Sequence, residues 1–532
     1  MNRPGLSLRK RYSAWLVTLL CALAIILAAT AIAGWMTLRA SLPQLDGTHD
    51  VLALAAPVTI ERDALGVPTL RGSTRADLAF GTGFVHAQDR FFQMDLLRRV
   101  AAGEMSALIG PSALELDRRD RPHRFRERAR MSLAALPPDQ RQLIERYTAG
   151  VNDGLASLTA RPFEYWLLRT QPAAWRPEDT LLVVYAMYFD LQINEVSRIL
   201  SRAALRERVP VDLFAFLLPA TSHWDAPFDV ASSPPGDLGM PPSTRPDWLR
   251  TLKPADIPPS SAGPRYSGLT MANSMTGSNS WAVDGAHSAH GRAIVANDMH
   301  LGLSLPNIWY RISLAWPGPD GRTHRVTGVS LPGAPLVIAG SNGQVAWGFT
   351  NSYGRFIDLI ELQRSPADPL QYRIADGSWE RATVHRERIA VNGGVPVDLQ
   401  VIDTRWGPQI VVGPHAYALR WVAHDPQAVN LNLQRLEDSA SVTDALHVAQ
   451  TSGIPTQNFV VADSRGKIGW TLAGPLPQRD AIDDASSAQL GDLPFNSLTY
   501  RGWRGYLTPD AYPSRIDPPL GRLWTANNRT LP

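Results

Sequence analysis

The sequence predicts a layered α+β body behind an apolar N-terminal segment. Three observations predict it. Apolar residues recur at helical spacing in several stretches up to about residue 209. A segment from Ala231 to Tyr266 then loses all periodicity and fills with Pro, Ser and Gly. From Ser278 onward short β-type runs alternate with polar turns. Strand runs with flanking helices pack as stacked layers around a shared core.

Taken in order, Arg3, Arg9, Lys10 and Arg11 precede an uncharged run from Trp15 to Met36. That run is long enough to span a bilayer as a helix, with its basic flank in the cytoplasm. Ala31-Ile32-Ala33 matches the small-residue pattern of a signal-peptidase site, so residues 1–47 read as a membrane anchor or a cleaved signal. Either reading places the body outside the cytoplasmic membrane. The single cysteine, Cys21, lies within this run, which leaves the body without disulfides or a thiolate metal site.

Val58 to Leu70 reads as strand, turn, strand, with the turn at Asp63–Pro68. Ala76 to Leu108 reads as helical, with Phe84, Phe91, Met94, Leu97 and Val100 on one stripe. His86, Asp89, Arg90 and Arg98 on that segment fit a charge-laced helix packed on a sheet better than a catalytic cluster. Helices are expected over 137–158, opened by Pro137-Pro138-Asp139, and over 177–209. The Pro/Ser-rich segment has little to bury and reads as a spacer or surface loop. Beyond it, Ser280–Asp284 and Arg292–Asn297 form a hairpin about the turn Gly285–Gly291, whose His287 and His290 read as solvated. Further strands are expected at 309–314, 324–330, 335–339, 344–349, 358–363, 397–403, 409–412, 418–422, 459–462 and 468–472, with a helix near 441–451.

Hydrophobic content of 44% and charge of 19% are ordinary for a globular protein. A net charge of +3 without a long basic run gives no footprint for a nucleic-acid partner. The sequence shows no repeats, P-loop or dinucleotide fingerprint. It also lacks a G-x-S-x-G elbow between strand and helix, which argues against a conventional Ser-His-Asp esterase.

Ser278 stands at the loop-to-strand junction after Gly277. If the Gly277–Ser278 bond is cut, one residue carries both a hydroxyl nucleophile and a free α-amine as base. The run Gly277-Ser278-Asn279-Ser280-Trp281-Ala282-Val283 resembles the processing site of the penicillin acylase family of N-terminal-nucleophile hydrolases. Gly66-Val67-Pro68, followed by His86-Ala87-Gln88-Asp89-Arg90 and Gln93-Met94, resembles the first chain of the same family. The resemblance implies a four-layer αββα fold with a helical N-terminal chain. It divides the molecule into a mostly helical first chain over 48–230, a spacer over 231–277 removed or cleaved on maturation, and a β-rich second chain over 278–532. The α and β chains would stay associated after processing.

The resemblance also assigns roles. Gly340–Asn351 is similar to the family's Gly-x-Asn-x-x-x-x-Trp-Gly-x-Thr segment, which implies the Asn351 backbone N–H as one oxyanion donor. The side chain of Asn527, in Thr525-Ala526-Asn527-Asn528-Arg529, is implied as the other. His300, after Asn297-Asp298-Met299, matches a histidine that supports the serine in related acylases. A calcium ion would draw on Glu195 and Asp358, yet Arg355 stands where a further acid is expected, and a guanidinium cannot coordinate a cation. No organic cofactor is implied. Family members continue well beyond the Asn527 motif, so the chain resembles a C-terminally truncated member.

These readings converge on a self-processing amidohydrolase. It would split the amide between an acyl group and the amine of a small molecule, such as a β-lactam or an acyl-homoserine lactone, through an acyl-enzyme on Ser278. The alternative is a truncated, membrane-tethered member that binds ligand without turnover.

Overall fold

The computed structural model describes residues 5–51, 54–218, 228, 277–318, 321–480, 493–528 and 530–531. Of the spacer expected over 231–277, all but Gly277 lies outside the described residues, as does Arg529. The helices of the first part are α1 (Gly5–Ala40), α2 (Arg75–Ala102), α3 (Ser106–Ile109), α4 (Leu114–Asp120), α5 (Phe125–Ala135), α6 (Pro138–Ala156), α7 (Phe163–Leu167), α8 (Pro177–Gln192), α9 (Asn194–Arg208) and α10 (Val211–Leu217). Within α1, Trp15–Ala40 is long and apolar enough to cross a membrane, and none of its apolar window is buried against the body.

Thr74 starts α2 by accepting a hydrogen bond from the Asp77 N–H, and Gly103 ends it in the left-handed region at φ 62°. The helix crosses α6 at glycines. A Cβ on Gly83 would stand 2.2 Å from the Tyr147 carbonyl oxygen, and one on Gly150 would stand 1.9 Å from that of Phe80. The charged residues of α2 are structural, as the sequence suggested. Asp89 accepts from the Arg62 guanidinium at 2.8 Å and from the Tyr310 hydroxyl at 2.6 Å. Arg98 is buried between Asp95, at 2.7 Å, and Asp179, at 2.6 Å. His86 lies fully buried between the Tyr147 and Ser330 hydroxyls, and burial depresses its pKa to about 3.

The expected single helix over 177–209 is two, parted at Ile193. Twelve of the sixteen residues of α8 are buried, whereas α9 buries only Val196, Ile199 and Leu200. The chain therefore leaves the core where the apolar run gives way to an amphipathic one.

The strands organise into a nine-stranded sheet, a six-stranded sheet, a three-stranded sheet and two short pairs. In the first are β1 (Thr59–Arg62) and β2 (Pro68–Arg71). The hairpin after the spacer is β3 (Gly277–Val283) with β4 (Ile294–His300), in a register that sets Ser278 opposite Met299. β5 (Tyr310–Pro317), β6 (Thr323–Ser330), β7 (Val337–Ser341) and β8 (Val345–Asn351) join the nine-stranded sheet, and β9 (Ile357–Glu361) joins the six-stranded one. β2 meets β5 in parallel, so the first part of the chain supplies strands to the sheet of the second.

The strand Gln457–Asp463, paired with β8, shows the layering. Phe459 and Val461 face the large core shared with the helices, while Val460 and Ala462 face a second core with Ala282 and Leu523 of the three-stranded sheet. Successive side chains point to opposite faces, so a strand buried on both sides reads as a continuous apolar run. Helices, nine-stranded sheet and three-stranded sheet thus stack in that order.

Among the described residues eight strands escaped the sequence reading, most of them two to four residues long, and two of them show why. Thr383–Ile389 is rich in charge and mostly solvent-facing. Arg522–Thr525 is only four residues long and is defined by pairing with β3, Trp524 opposite Trp281.

Candidate active site

Ser278 is the second residue of β3, the middle strand of the three-stranded sheet. Its side chain belongs to the buried face with Ser280 and Ala282, and Ser278 is 6% exposed. Two N–H groups converge on its Oγ: the Asn351 backbone N–H at 3.0 Å and the Asn527 Nδ2 at 3.1 Å. The Ser278 N–H donates to Asn527 Oδ1 at 2.6 Å. Since a backbone N–H can only donate, this bond fixes the amide orientation of Asn527 and turns Nδ2 toward Oγ. Nδ2 also donates to the Asn351 carbonyl at 2.8 Å, closing a ring of bonds around the serine.

Local sequence explains why these groups meet. Asn351 ends β8, and β8 is tied to the hairpin through Asn297. The Asn297 Nδ2 donates to the Phe349 carbonyl at 2.7 Å and the Asn279 carbonyl at 3.1 Å, while its Oδ1 accepts from the Phe349 N–H at 3.1 Å. Gly348 makes room for it, because a Cβ there would stand 2.5 Å from the Asn297 side chain. Thr350 and Thr525 share a hydroxyl hydrogen bond at 2.8 Å, which brings the strand before Asn527 against β8. Asn527 itself is left-handed at φ 61°, a conformation asparagine tolerates better than most residues. The Asn458 Nδ2 adds a bond to the Asn351 carbonyl at 3.2 Å.

A cavity of about 220 Å³ opens beside Ser278. Its wall is largely apolar, with Val184 and Met187 of α8, Leu301, Trp309, Phe349 and Leu433 among the lining residues. Asp190, Glu195, Arg198 and His300 are its charged or titratable members besides Ser278 and Tyr353. Three buried polar atoms of lining residues have no hydrogen-bond partner: Gln192 Nε2, Trp309 Nε1 and Asn351 Oδ1.

The structure brings Gly277, Ser278, Asn351 and Asn527 together. His300 lies opposite Gly277 across the hairpin and lines the same cavity. Its Nε2 pairs with Asp298 at 2.7 Å, and among the described residues no hydrogen bond joins it to Ser278. Glu195 and Asp358 do not fit a calcium ion. Both Glu195 oxygens are taken by Arg198, one at 2.8 Å. Asp358 is 3% exposed and accepts from Arg479 at 2.8 Å, Tyr500 at 2.7 Å and Trp503 at 2.7 Å. Among the described residues no group of three or more His, Cys, Asp or Glu gathers as metal ligands.

Sequence reasoning missed the supporting residues Asn297, Thr350, Thr525 and Asn458. Asn297, Thr350 and Thr525 lie within motifs already singled out. Asn458 carries no local signal, since its role arises from pairing between distant strands.

The family follows from comparison with known proteins. The penicillin amidase family model matches residues 57–532, and the chain belongs to that family. It is 31% identical to the acyl-homoserine lactone acylase QuiP of Pseudomonas aeruginosa over 513 residues, covering 92% of this chain and 57% of that protein. It is 31% identical to the penicillin acylase 2 proenzyme of Pseudomonas sp. strain SE83, covering 93% of this chain and 61% of that protein. Penicillin G acylase of Escherichia coli matches at 24% identity, over 89% of this chain and 59% of that protein. The chain thus spans somewhat under two thirds of the length of these relatives. Among solved structures, a penicillin G acylase from Alcaligenes faecalis aligns with a TM-score of 0.41 at 24% identity, over 48% of this chain and 44% of that one.

Proposed function

We propose that the protein is a self-processing acylase that hydrolyses the amide bond of a small acylated amine, with Ser278 as nucleophile. The observation that carries this reading is the pair of N–H donors, from Asn351 and Asn527, converging on the Oγ of a buried serine whose own nitrogen is held by the Asn527 Oδ1.

In maturation Ser278 Oγ attacks the Gly277 carbonyl. The peptide becomes an ester, and water opens it to free the Ser278 α-amine. In turnover Oγ attacks the substrate carbonyl and its proton passes to the α-amine. The tetrahedral oxyanion is met by the same two donors, and the amine returns the proton to the leaving nitrogen. Water then hydrolyses the acyl ester by the same route. An α-amine has an unperturbed pKa of about 7.7–8.0, and burial lowers it toward the working pH. No organic cofactor enters these steps, and His300 acts from the cavity wall without bonding to Oγ.

The wider reading follows. Residues 48–230 and 278–532 are the two chains of the mature protein, in a four-layer αββα arrangement. α1 carries the body to the far side of the cytoplasmic membrane as an anchor or signal. The names of the relatives put β-lactams and acyl-homoserine lactones first in the substrate screen. The test is release of free amine from such acyl amides by the purified protein, with Ser278→Ala as control. Turnover that depends on Ser278 supports the reading. Turnover that survives Ser278→Ala removes it.

A further inference from the structure

The apolar wall of the cavity is interrupted by one carboxylate without a counter-charge. Asp190 lines the cavity with Val184, Met187 and Leu191, all from α8. The other titratable or charged groups facing the cavity are Glu195, Arg198, His300, Tyr353 and the serine. Arg198 is engaged by Glu195, and His300 by Asp298. Among the described residues no hydrogen bond or ion pair reaches the Asp190 carboxylate. An ionised carboxylate on an apolar wall is costly unless something pairs with it; besides the Ser278 α-amine that the proposed processing would free at the same cavity, only a ligand is left to do so.

We propose that Asp190 recognises a positively charged nitrogen on the substrate, so that the amide cleaved here carries a protonated amine besides its scissile bond. This rests on the reading that the cavity beside Ser278 holds the substrate. Burial alone raises the Asp190 carboxyl to about 6, so it is ionised above that pH and neutral well below it. Charge recognition is therefore present near pH 8 and fades as the pH falls through about 6.

The experiment compares benzylamine with benzyl alcohol, which share a shape and differ in charge. Each is titrated calorimetrically into the purified full chain. At pH 8 benzylamine binds at least about tenfold more tightly, the scale of one charge-assisted bond. Asp190→Asn abolishes the preference, Asp190→Glu retains it, and the unmodified protein loses most of it at pH 5. Equal affinities, a preference that survives Asp190→Asn, or no saturable benzylamine binding at pH 8 each overturn the assignment. The readout needs no turnover. Preference without amide hydrolysis would remove the acylase reading alone, and hydrolysis without preference would remove the Asp190 assignment alone.

Discussion

Asn527 bonds two atoms of Ser278, accepting from its nitrogen through Oδ1 and donating to its Oγ through Nδ2. In the proposed mechanism, truncating it removes an oxyanion donor and frees the serine nitrogen at once. Asn527→Ala should lower kcat by roughly 10²–10³-fold with a much smaller change in KM, as expected for a bond that matters most in the transition state. Steady-state assays on whichever acyl amide proves to be turned over would show this. A change confined to KM would mean that Asn527 only binds substrate. At this scale the site was legible where a motif carried it. Ser278, Asn351 and Asn527 each sit in a short run whose resemblance assigns a role. Asp190 was not legible, since an aspartate inside a helix reads as a solvated face. Only the fold shows that it faces a cavity among apolar neighbours.

The hairpin β3–β4 is seated on β8 through Asn297, and Gly348 provides the space. Gly348→Ala should push Asn297 off the Phe349 backbone and shift Ser278 relative to the Asn351 N–H. We expect a loss of about 1–3 kcal/mol in stability, the usual cost of overpacking, with a larger loss in activity. Denaturant melts and rate assays on one preparation separate the two, and unchanged activity would sink the account of Asn297. A second element-scale test lies between α2 and α8. Arg98→Ala takes from the core the guanidinium that Asp95 and Asp179 share but leaves them Arg99 and Arg126, so the loss should fall below the about 3–5 kcal/mol of a fully stranded buried partner and stay above about 1 kcal/mol. A loss below about 1 kcal/mol in urea unfolding, the scale of an exposed pair, would contradict that burial. Helices and inner strands were legible because their apolar periods are long and regular. Arg522–Thr525 was not, because its strand character comes from pairing with β3, which lies far from it in sequence. The break at Ile193 was hidden for a similar reason, since both flanking segments favour helix.

Across the whole molecule, buried histidines set the response to acid. His86 and His123 are fully buried with pKa values pushed down to about 3, and His424 is also depressed by burial. Unfolded, each titrates near 6.5, so the stability of the neutral folded form is full above 6.5 and drains as pH falls toward 3. At pH 5 His86 and His123 each cost about 2 kcal/mol, and His424 adds in the same direction. Asp120 and Asp190, raised to about 6, act in the opposite direction, recovering part of this as pH falls from 6 to 3.8. The histidines outweigh them, so the denaturation midpoint should be lower at pH 5 than at pH 7, and an equal or higher midpoint would contradict this balance. The α+β class and the helical-then-β order were legible along the chain. The stacking of the three-stranded sheet on the nine-stranded one was not, since Val460 and Ala462 find Ala282 and Leu523 only through the tertiary fold. The central claim is that Ser278 cuts the chain before itself and then works as an N-terminal nucleophile. Intact mass with N-terminal sequencing of the purified protein tests it most directly. The account predicts two chains, the second beginning Ser278-Asn279-Ser280-Trp281, and one uncut chain in Ser278→Ala. A single chain in the unmodified protein, or cleavage that persists in Ser278→Ala, would contradict it.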